Sequence, residues 1–329
     1  MKAIFIFMML VLLTGCSEES TEDAPIQQSV TEESNQHVDV ENPQQEEATS
    51  EEQSKTTELT GEINVFDPVT NSVIATFSTT ELGYHTDYYS YVNQIKQLAK
   101  DLAQGTDSTE GYDQRMFLDK VNENGELIKG HPMVILKESE LVERILEISP
   151  NGGNVELPIY ITETGYDRSE FDSLEEVIIA SYTTYFKASD VGRTHNIRQS
   201  SDAISKVIVG NGDYFSFNTM VGPRTKETGY QEALEIVNGE FVLGIGGGIC
   251  QTSSTLFNAV DQLSVEYVEW HHHSRDIGYV PKGRDATVSY GTLDFRFHNT
   301  TGFPFMIIST TTENSITIEI RTSEHYTYH

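Results

Sequence analysis

The first sixty residues limit what this chain can fold into, because their composition differs from that of everything that follows. After Lys2, residues 3–13 form an uninterrupted apolar run, which is shorter than the roughly 20 apolar residues that a membrane-spanning helix needs. A positive residue followed by a short apolar run is typical of a secretory signal peptide. We therefore expect residues 1–15 to be removed on export.

The residues after the apolar run predict a lipid anchor and a tether. Leu13-Thr14-Gly15-Cys16 resembles the lipobox of bacterial lipoproteins, in which the cysteine thiol takes the lipid. Residues 16–59 are rich in Glu, Gln, Ser and Thr, and Lys55 is their only Lys or Arg. Such a segment buries too little apolar surface to offset its chain entropy, so a disordered acidic tether is expected. The expected location is the outer face of the cell membrane, with the lipid on Cys16 as the anchor.

Composition narrows the possible functions of the remaining residues. About 270 residues are left for folding, which is enough for one large domain or two of ordinary size. The net charge of −30 argues against binding to nucleic acid, which requires Lys and Arg against the phosphates. Part of that charge lies in the tether, so it tells less about the folded part.

The cysteine count identifies one thiol of interest. The chain contains two cysteines, Cys16 and Cys250. If Cys16 carries lipid, Cys250 is a free thiol outside the cytoplasm, where cysteines usually form disulfides. Such a thiol is either buried and inert or kept for its reactivity, and the count alone favours neither.

Hydrophobic periodicity predicts an α+β fold in two parts, an accessory module at 60–175 and a domain at 176–324. In the first part, alternation with turn residues predicts strands, and apolar residues at helical spacing predict helices. The predicted elements are two strands within 62–77, a helix at 88–102, a strand and a helix within 134–148, and a strand at 155–164. The helix at 88–102 is expected to carry one apolar stripe, made of Val92, Ile95, Leu98 and Leu102.

The second part is predicted to end in an antiparallel sheet. Turn residues at 299–302 and 313–314 indicate hairpins between alternating segments. Residues 203–209 are expected to be the end of one helix, and another helix is expected to run from about Gln251 to Leu263. The predicted strands and short extended elements are 214–217, 230–237, 241–243, 265–270, 286–290, 292–297, 303–309 and 315–321.

A glycine-rich segment leads directly into Cys250 at the expected start of a helix. Glycines at 246–248 let the backbone turn sharply and approach a ligand closely. Unpaired N–H groups at a helix start favour negative charge, so a thiol there should have a lowered pKa and react as the thiolate. The N–H groups from Gly246 to Gln251 could hold an oxyanion during acyl transfer. Phosphate binding is the alternative, weakened because no lysine follows the glycines.

Three consecutive histidines, His271 to His273, supply candidate bases for such a thiol. In an extended strand, the first and third would face one way and the second the other. Asp285 or Asp294 could orient a histidine through its second ring nitrogen, as in a catalytic triad. Metal binding by the first and third histidines with Cys250, and a purely structural role, are the competing interpretations. The preferred interpretation uses no metal or cofactor.

Several short motifs of the second part occur in a definite order. They are Phe215-Ser216-Phe217-Asn218, Val221-Gly222-Pro223-Arg224-Thr225, Gly229-Tyr230, Gly246-Gly247-Gly248-Ile249-Cys250-Gln251, Ser254-Thr255-Leu256-Phe257-Asn258-Ala259, His273-Ser274, Tyr279-Val280-Pro281, Gly283-Arg284-Asp285-Ala286-Thr287-Val288 and Asn299. In this order and spacing they resemble the VanW domain family, over about residues 180–310. Trp270 departs from the pattern, since family members usually carry arginine there.

The resemblance implies an activity and a substrate. Some clostridial members of the family are reported to be L,D-transpeptidases, which make 3–3 peptidoglycan cross-links through a cysteine. The resemblance therefore implies Cys250 as nucleophile and His273 as the first candidate base. In the leading hypothesis His271 is the alternative base, and Asp285 orients the histidine. The candidate substrate or oxyanion contacts are Gly246, Gly247, Gly248, Gln251, Arg224 and Tyr279. Peptidoglycan is the expected partner.

Two other functions stay open from the sequence. The first is a non-catalytic peptidoglycan-binding or glycopeptide-resistance accessory protein, in which Cys250 is structural. The second is a metal-dependent hydrolase that uses the histidines as ligands.

Overall fold

The computed structural model describes residues 61–237 and 240–327 of the chain. The predicted signal peptide at 1–15, the predicted lipidation site Cys16 and the predicted tether at 16–59 lie outside the described residues. Within the described ranges, no helix is both long enough and apolar enough to cross a membrane.

Helices and strands are mixed along the described residues, which confirms the predicted α+β class. The helices are α1 (Tyr88–Gln104), α2 (Glu138–Ile148), α3 (Val191–Ile204), α4 (Phe217–Val221) and α5 (Ile249–Val260), with short 3-10 helices at Arg168–Glu175 and Glu324–Thr327. The strands are β1 (Glu62–Phe66), β2 (Val73–Ser78), β3 (Lys120–Val121), β4 (Leu127–Ile128), β5 (Met133–Leu136), β6 (Gly153–Glu156), β7 (Ile159–Thr162), β8 (Val177–Tyr185), β9 (Val207–Val209), β10 (Tyr214–Ser216), β11 (Glu232–Val237), β12 (Glu240–Ile245), β13 (Glu266–Glu269), β14 (Arg296–His298), β15 (Phe305–Thr311) and β16 (Ser315–Thr322).

The largest sheet has six antiparallel strands in the order β4-β3-β9-β15-β16-β8. The hairpin of β15 and β16, joined at the predicted turn 313–314, lies within it and confirms the antiparallel end of the chain. Helices α3 and α5 pack on this sheet. Strands β3 and β4 come from the range predicted as the accessory module, and they form one side of this sheet.

Helix α1 packs in a separate apolar core, formed with α2 and the sheet β2-β1-β6. Asp87 caps the start of α1 by accepting a hydrogen bond from the Ser90 N–H at 3.0 Å. The residues that this helix buries are Tyr91, Ile95, Ala99 and Ala103. The predicted stripe packs on this core, with Ile95 buried and with Val92, Leu98 and Leu102 partly buried at its edge.

Two boundaries differ from those predicted because single residues interrupt a pattern. The strand predicted at 155–164 is two strands, β6 and β7, separated around Pro158, which has no N–H for a strand ladder. The segment 203–209, predicted to be the end of a helix, is helical only as far as Ile204. Lys206 then has φ at 61°, and the chain enters β9.

The turn at 299–302 connects two sheets rather than two strands of one hairpin. Strand β14 before it pairs with β10 and β13, whereas β15 after it pairs with β9 and β16. The rings of Phe215, Phe295 and Phe297 form the core between these sheets, and Phe257 of α5 packs on Phe295. This aromatic core fixes α5, which carries Cys250.

Candidate active site

The turn before Cys250 depends on the absence of side chains. Gly246 and Gly248 have φ values of 101° and 111°, which residues with a side chain rarely adopt. A Cβ at Gly247 would lie 2.5 Å from the Leu234 carbonyl oxygen, so this position also has no room for a side chain. Helix α5 begins directly after the turn, and Cys250 is its second residue.

Helix α5 is buried on nearly every side, although much of its surface is polar. Its polar side chains hold the segment 284–288. Ser253 Oγ donates to the Ala286 carbonyl at 2.6 Å, and Ser254 Oγ accepts from the Ala286 N–H at 2.9 Å. Asn258 Nδ2 donates to the first carbonyl of the segment at 2.7 Å. The strand predicted here is wrong, because these main-chain groups bond to helix side chains instead of to a neighbouring strand.

The segment 284–288 brings Asp285 to His273 beside Cys250. Asp285 Oδ2 accepts hydrogen bonds from the main-chain N–H and from the ring Nδ1 of His273, each at 2.7 Å. Because a carboxylate can only accept, Nδ1 carries the proton and Nε2 is left for the thiol. Cys250 Sγ also lies 3.8 Å from Thr287 Oγ1 and 3.5 Å from the Val288 carbonyl oxygen.

The electrostatics of this group favour a thiolate beside an imidazolium. Burial would raise the pKa of the Cys250 thiol, but the hydrogen bond and charge of His273 lower that pKa below its ordinary value. Burial would lower the pKa of His273, but interactions with Cys250 and Asp285 raise it above its ordinary value. The two shifts favour transfer of the thiol proton to the imidazole, which leaves sulfur in its nucleophilic form.

The other two histidines each contact a carboxylate. His272 Nδ1 lies 3.1 Å from Asp285 Oδ1, so this carboxylate contacts two histidines. His271 Nε2 lies 3.0 Å from Glu269 Oε1. The predicted alternation of the histidines is wrong because β13 ends at Glu269 and the backbone beyond it is not a strand. The structure therefore brings His273, and not His271, to the thiol.

Asp294, the other candidate for orienting a histidine, has a different set of partners. Its Oδ2 accepts hydrogen bonds from Arg115 at 2.8 Å and from Ser216 Oγ at 2.6 Å. Its Oδ1 accepts from the Asn218 N–H at 2.9 Å. Asp294 thus ties α4 and residue 115 to the sheet, whereas Asp285 contacts the histidines.

The geometry does not assemble the ligands that a metal site requires. In the parts of the chain that the structure describes, no group of three or more His, Cys, Asp or Glu side chains is placed to hold a metal ion. The set proposed from sequence fails because its first histidine turns to Glu269.

Comparison with known proteins identifies the family of this chain. A family model described as VanW like protein matches residues 192–321, which contain all the residues of the thiol site. The chain is 35% identical over 244 residues to "Uncharacterized protein YoaR" of Bacillus subtilis (strain 168), covering 72% of this chain and 76% of that protein. The chain belongs to the VanW-like family.

A second relative carries a functional name. "Vancomycin B-type resistance protein VanW" of Enterococcus faecalis (strain ATCC 700802 / V583) is 27% identical over 129 residues, which is 38% of this chain and 47% of that protein. No solved structure matches the chain. The resemblance inferred from the motifs is thereby confirmed at the level of the family.

The N–H groups of the glycine turn in the VanW-like domain differ in whether a main-chain carbonyl accepts their hydrogen bond. The Gly246 N–H bonds to the Gln231 carbonyl at 3.1 Å, and the Gln251 N–H bonds to the Gly248 carbonyl at 2.9 Å. Within the described residues, the N–H groups of Gly247, Gly248 and Cys250 have no such partner. The candidate oxyanion donors are therefore these three N–H groups, a smaller set than the predicted range 246–251.

Gln251 positions another residue that the sequence did not single out. Its side-chain Oε1 accepts from Arg193 Nη2 at 2.7 Å, and its Nε2 donates to Thr184 Oγ1 at 2.9 Å. The Gln251 side chain is thus occupied within the domain rather than directed at a substrate. Arg193 lies in α3, far from Cys250 in sequence, and no local sequence motif predicts that it lies close to Gln251.

Arg224 and Tyr279 both lie in the neighbourhood of the thiol. The Arg224 guanidinium stacks 5.5 Å from the Tyr290 ring, and the Arg193 guanidinium stacks 5.8 Å from the Tyr279 ring. Burial, followed by the charge of Cys250, raises the pKa of the Tyr279 hydroxyl, so this group stays neutral and can donate a hydrogen bond.

Trp270, the departure from the family pattern, supports the carboxylate. Its Nε1 donates to the Asp285 carbonyl oxygen at 2.9 Å, and its ring stacks 4.4 Å from that of Phe257. An uncharged ring therefore bonds to the main chain of the segment 284–288 and packs on α5 through Phe257.

A cavity of about 350 Å³ opens on the histidine side of the site. The residues that line it include His272, His273, Asp285, Lys282 and Asp276. Because His273 also contacts the thiol, the imidazole connects the cavity with Cys250.

Proposed function

We propose that this protein is a cysteine L,D-transpeptidase, an acyltransferase that makes 3–3 cross-links between peptidoglycan stem peptides. The observation that carries the proposal is the order Cys250, His273, Asp285, with the glycine turn beside the thiol. A nucleophile, a base oriented by a carboxylate, and adjacent N–H donors are the parts that acyl transfer requires.

In the first step, the Cys250 thiolate attacks the donor carbonyl. The N–H groups of Gly247, Gly248 and Cys250 donate to the oxyanion that forms. The His273 imidazolium gives its proton to the leaving amine, the carbon–nitrogen bond breaks, and D-alanine departs. The acyl group is then held as a thioester on sulfur.

In the second step, the acceptor amine attacks the thioester. His273, now neutral, takes the proton of the amine, the carbon–sulfur bond breaks, and the thiolate returns. The cavity lined by His273 and Asp285 supports entry of the acceptor from the histidine side.

The substrate is proposed from the family and not from the geometry. The chain is related to a protein named for vancomycin resistance, and some clostridial family members are reported to cross-link peptidoglycan through a cysteine. Acyl transfer between stem peptides is a reaction that a thiol nucleophile can perform and that fits these links to peptidoglycan. Export, lipid attachment at Cys16 and a tether at 16–59 would hold the site at the outer face of the membrane, next to peptidoglycan.

The test is a muropeptide assay with the full chain. Wild type, Cys250→Ala, His273→Ala and His271→Ala are each incubated with disaccharide-tetrapeptide, and the products are measured by mass spectrometry. Wild type should give a dimer that has lost one D-alanine, and Cys250→Ala should give none. His273→Ala should lose about 10²–10⁴-fold of the rate, whereas His271→Ala, its matched control, should stay close to wild type.

Two results would contradict the proposal. One is a folded Cys250→Ala protein that still forms the dimer. The other is a wild type that leaves the substrate unchanged and shows no acyl adduct in its intact mass. The second result would favour a non-catalytic peptidoglycan-binding or glycopeptide-resistance accessory protein.

A further inference from the structure

Two arginines pack against the glycine turn that ends at Cys250. A Cβ at Gly246 would lie 3.2 Å from Arg224 Cβ, and a Cβ at Gly248 would lie 2.9 Å from Arg193 Cγ and 3.0 Å from Arg193 Nη1. The two arginine side chains thus occupy the space that side chains at Gly246 and Gly248 would need. Because Arg224 follows α4 and Arg193 lies in α3, separate elements supply them.

Their guanidinium groups are buried with nitrogen atoms left unpaired. Within the described residues, Arg193 Nη1, Arg224 Nη1 and Arg224 Nη2 are inaccessible to solvent and have no hydrogen-bond acceptor. An unpaired buried donor is costly, and more so when it carries charge. An arginine stays protonated under such burial, so the cost is not relieved by loss of the proton.

The neighbours of these arginines hold them in place without neutralising them. Gln251 Oε1 fixes Arg193 Nη2 at 2.7 Å, and the Phe217 and Tyr290 rings lie 5.8 Å and 5.5 Å from Arg224. No carboxylate of the described residues forms an ion pair with either guanidinium. The charge of Cys250 acts on both, and that of one aspartate acts on each without an ion pair, Asp190 on Arg193 and Asp294 on Arg224.

We propose that Arg193 and Arg224 form a carboxylate-binding subsite beside the nucleophile, which takes the terminal carboxylate of the residue that leaves the acyl donor. This assignment rests on the proposed acyl transfer and specifies its donor. In a peptide cleaved at its last bond, the free carboxylate lies one residue from the attacked carbonyl. Planar guanidinium groups present paired N–H donors that match a carboxylate.

The subsite explains how the enzyme would select its bond. A peptide that continues beyond the leaving residue has no carboxylate at this distance, so its binding would leave two buried charges unpaired. The site would therefore accept the penultimate carbonyl of a chain and reject internal bonds. The preference is set by the two arginines and not by His273.

The subsite is testable without peptidoglycan turnover. N-bromoacetyl-D-alanine and N-bromoacetyl-D-alaninamide alkylate a thiolate by the same displacement, in which sulfur bonds to the methylene carbon and bromide leaves. The two reagents differ in the carboxylate alone. The ratio of their rate constants is therefore independent of how much thiolate is present, and it reports recognition of the carboxylate.

Wild type should prefer the carboxylate reagent by about tenfold or more relative to a small free thiol, the size expected for hydrogen bonds to a charged group. Arg193→Met and Arg224→Met should each lose most of this preference. Arg198→Met is the matched control, since Arg198 lies on α3, where Nη2 contacts the Thr312 carbonyl at 3.4 Å, and it should keep the preference.

The outcomes separate the subsite from the transpeptidase. A wild type with no preference over the free thiol, or a preference that survives in the doubly substituted chain, overturns the subsite. If the Met variants do not fold, Arg193→Lys and Arg224→Lys replace them, and the wild-type ratio alone still decides. If the wild type prefers the carboxylate reagent but leaves disaccharide-tetrapeptide unchanged, the subsite proposal stands and the transpeptidase proposal is wrong.

Discussion

The apolar core around α2 and the polar surroundings of α5 are built in opposite ways. Leu141 and Ile145 of α2 are fully buried among apolar side chains. Residues 252–255 of α5 are equally buried, yet all four are polar and hydrogen-bonded. Apolar packing holds elements together, whereas directed hydrogen bonds also fix where a segment lies. Stability and thiol chemistry should therefore be separable around α2 and coupled where α5 holds segment 284–288.

The largest effect is expected at the carboxylate that α5 positions through segment 284–288. Asp285→Asn removes a charge that, together with Cys250, raises the pKa of His273. The imidazolium then loses its proton at lower pH, and without its charge the pKa of the thiol rises toward its ordinary value. Acyl transfer should fall by about 10²–10⁴-fold, and the midpoint of Cys250 alkylation between pH 5 and 10 should move upward.

Asp294→Asn is the control for this variant, because Asp294 is an equally buried carboxylate whose partners are Arg115 and Ser216. It should reduce the free energy of unfolding while leaving the alkylation midpoint where it is in wild type. Equal midpoints for the two variants would mean that Asp285 does not act on the histidine.

An intermediate effect, confined to stability, is expected in the apolar core. Ile145→Ala leaves a cavity among apolar side chains and should cost about 2–5 kcal/mol in the free energy of unfolding, measured with denaturant. The exposed Glu143 on the same helix is the control, and Glu143→Ala should change that energy by no more than about 0.5 kcal/mol. A shift in the alkylation profile of Ile145→Ala would break the comparison between the two regions.

The smallest effect should show the coupling most clearly. Ser253→Ala removes the 2.6 Å hydrogen bond to the Ala286 carbonyl and should cost about 1–3 kcal/mol. Since this bond holds the segment that contacts Cys250, the alkylation rate should fall as well. Ser200→Ala loses a 2.7 Å bond to Thr252 on another side of α5, so it should lose stability alone. Identical alkylation in both variants would contradict the coupling.

The parts of the site that are contiguous in sequence were predictable from it. Three glycines, one isoleucine and then cysteine predict a sharp turn into a helix. The structure has that turn at 246–248, and the helix begins at Ile249 rather than at about Gln251. Steric limits on φ and the pattern of helix starts act over a few residues, so they can be read locally. The α+β class and the closing hairpin were predictable for the same reason.

The choice among distant partners was not predictable. His273 contacts the thiol and His271 does not, because β13 ends at Glu269 against the rest of its sheet. From the sequence, Asp285 and Asp294 were both candidates for orienting a histidine. The hydrogen bonds from α5 to segment 284–288 place Asp285, and not Asp294, beside His273. Arg193 reaches the turn from α3 through a contact that no spacing along the chain encodes.

The pairing of β3 with β9 decides how this chain can be shortened. The family match begins at residue 192, but Met116 and Leu118 belong to the core beneath α5, and β3 covers one edge of β9. A fragment starting at 176 would expose that edge as a row of unpaired N–H and C=O groups, ready to pair with another copy. We expect such a fragment to self-associate. The reactive domain therefore needs residues that lie before the start of the family match.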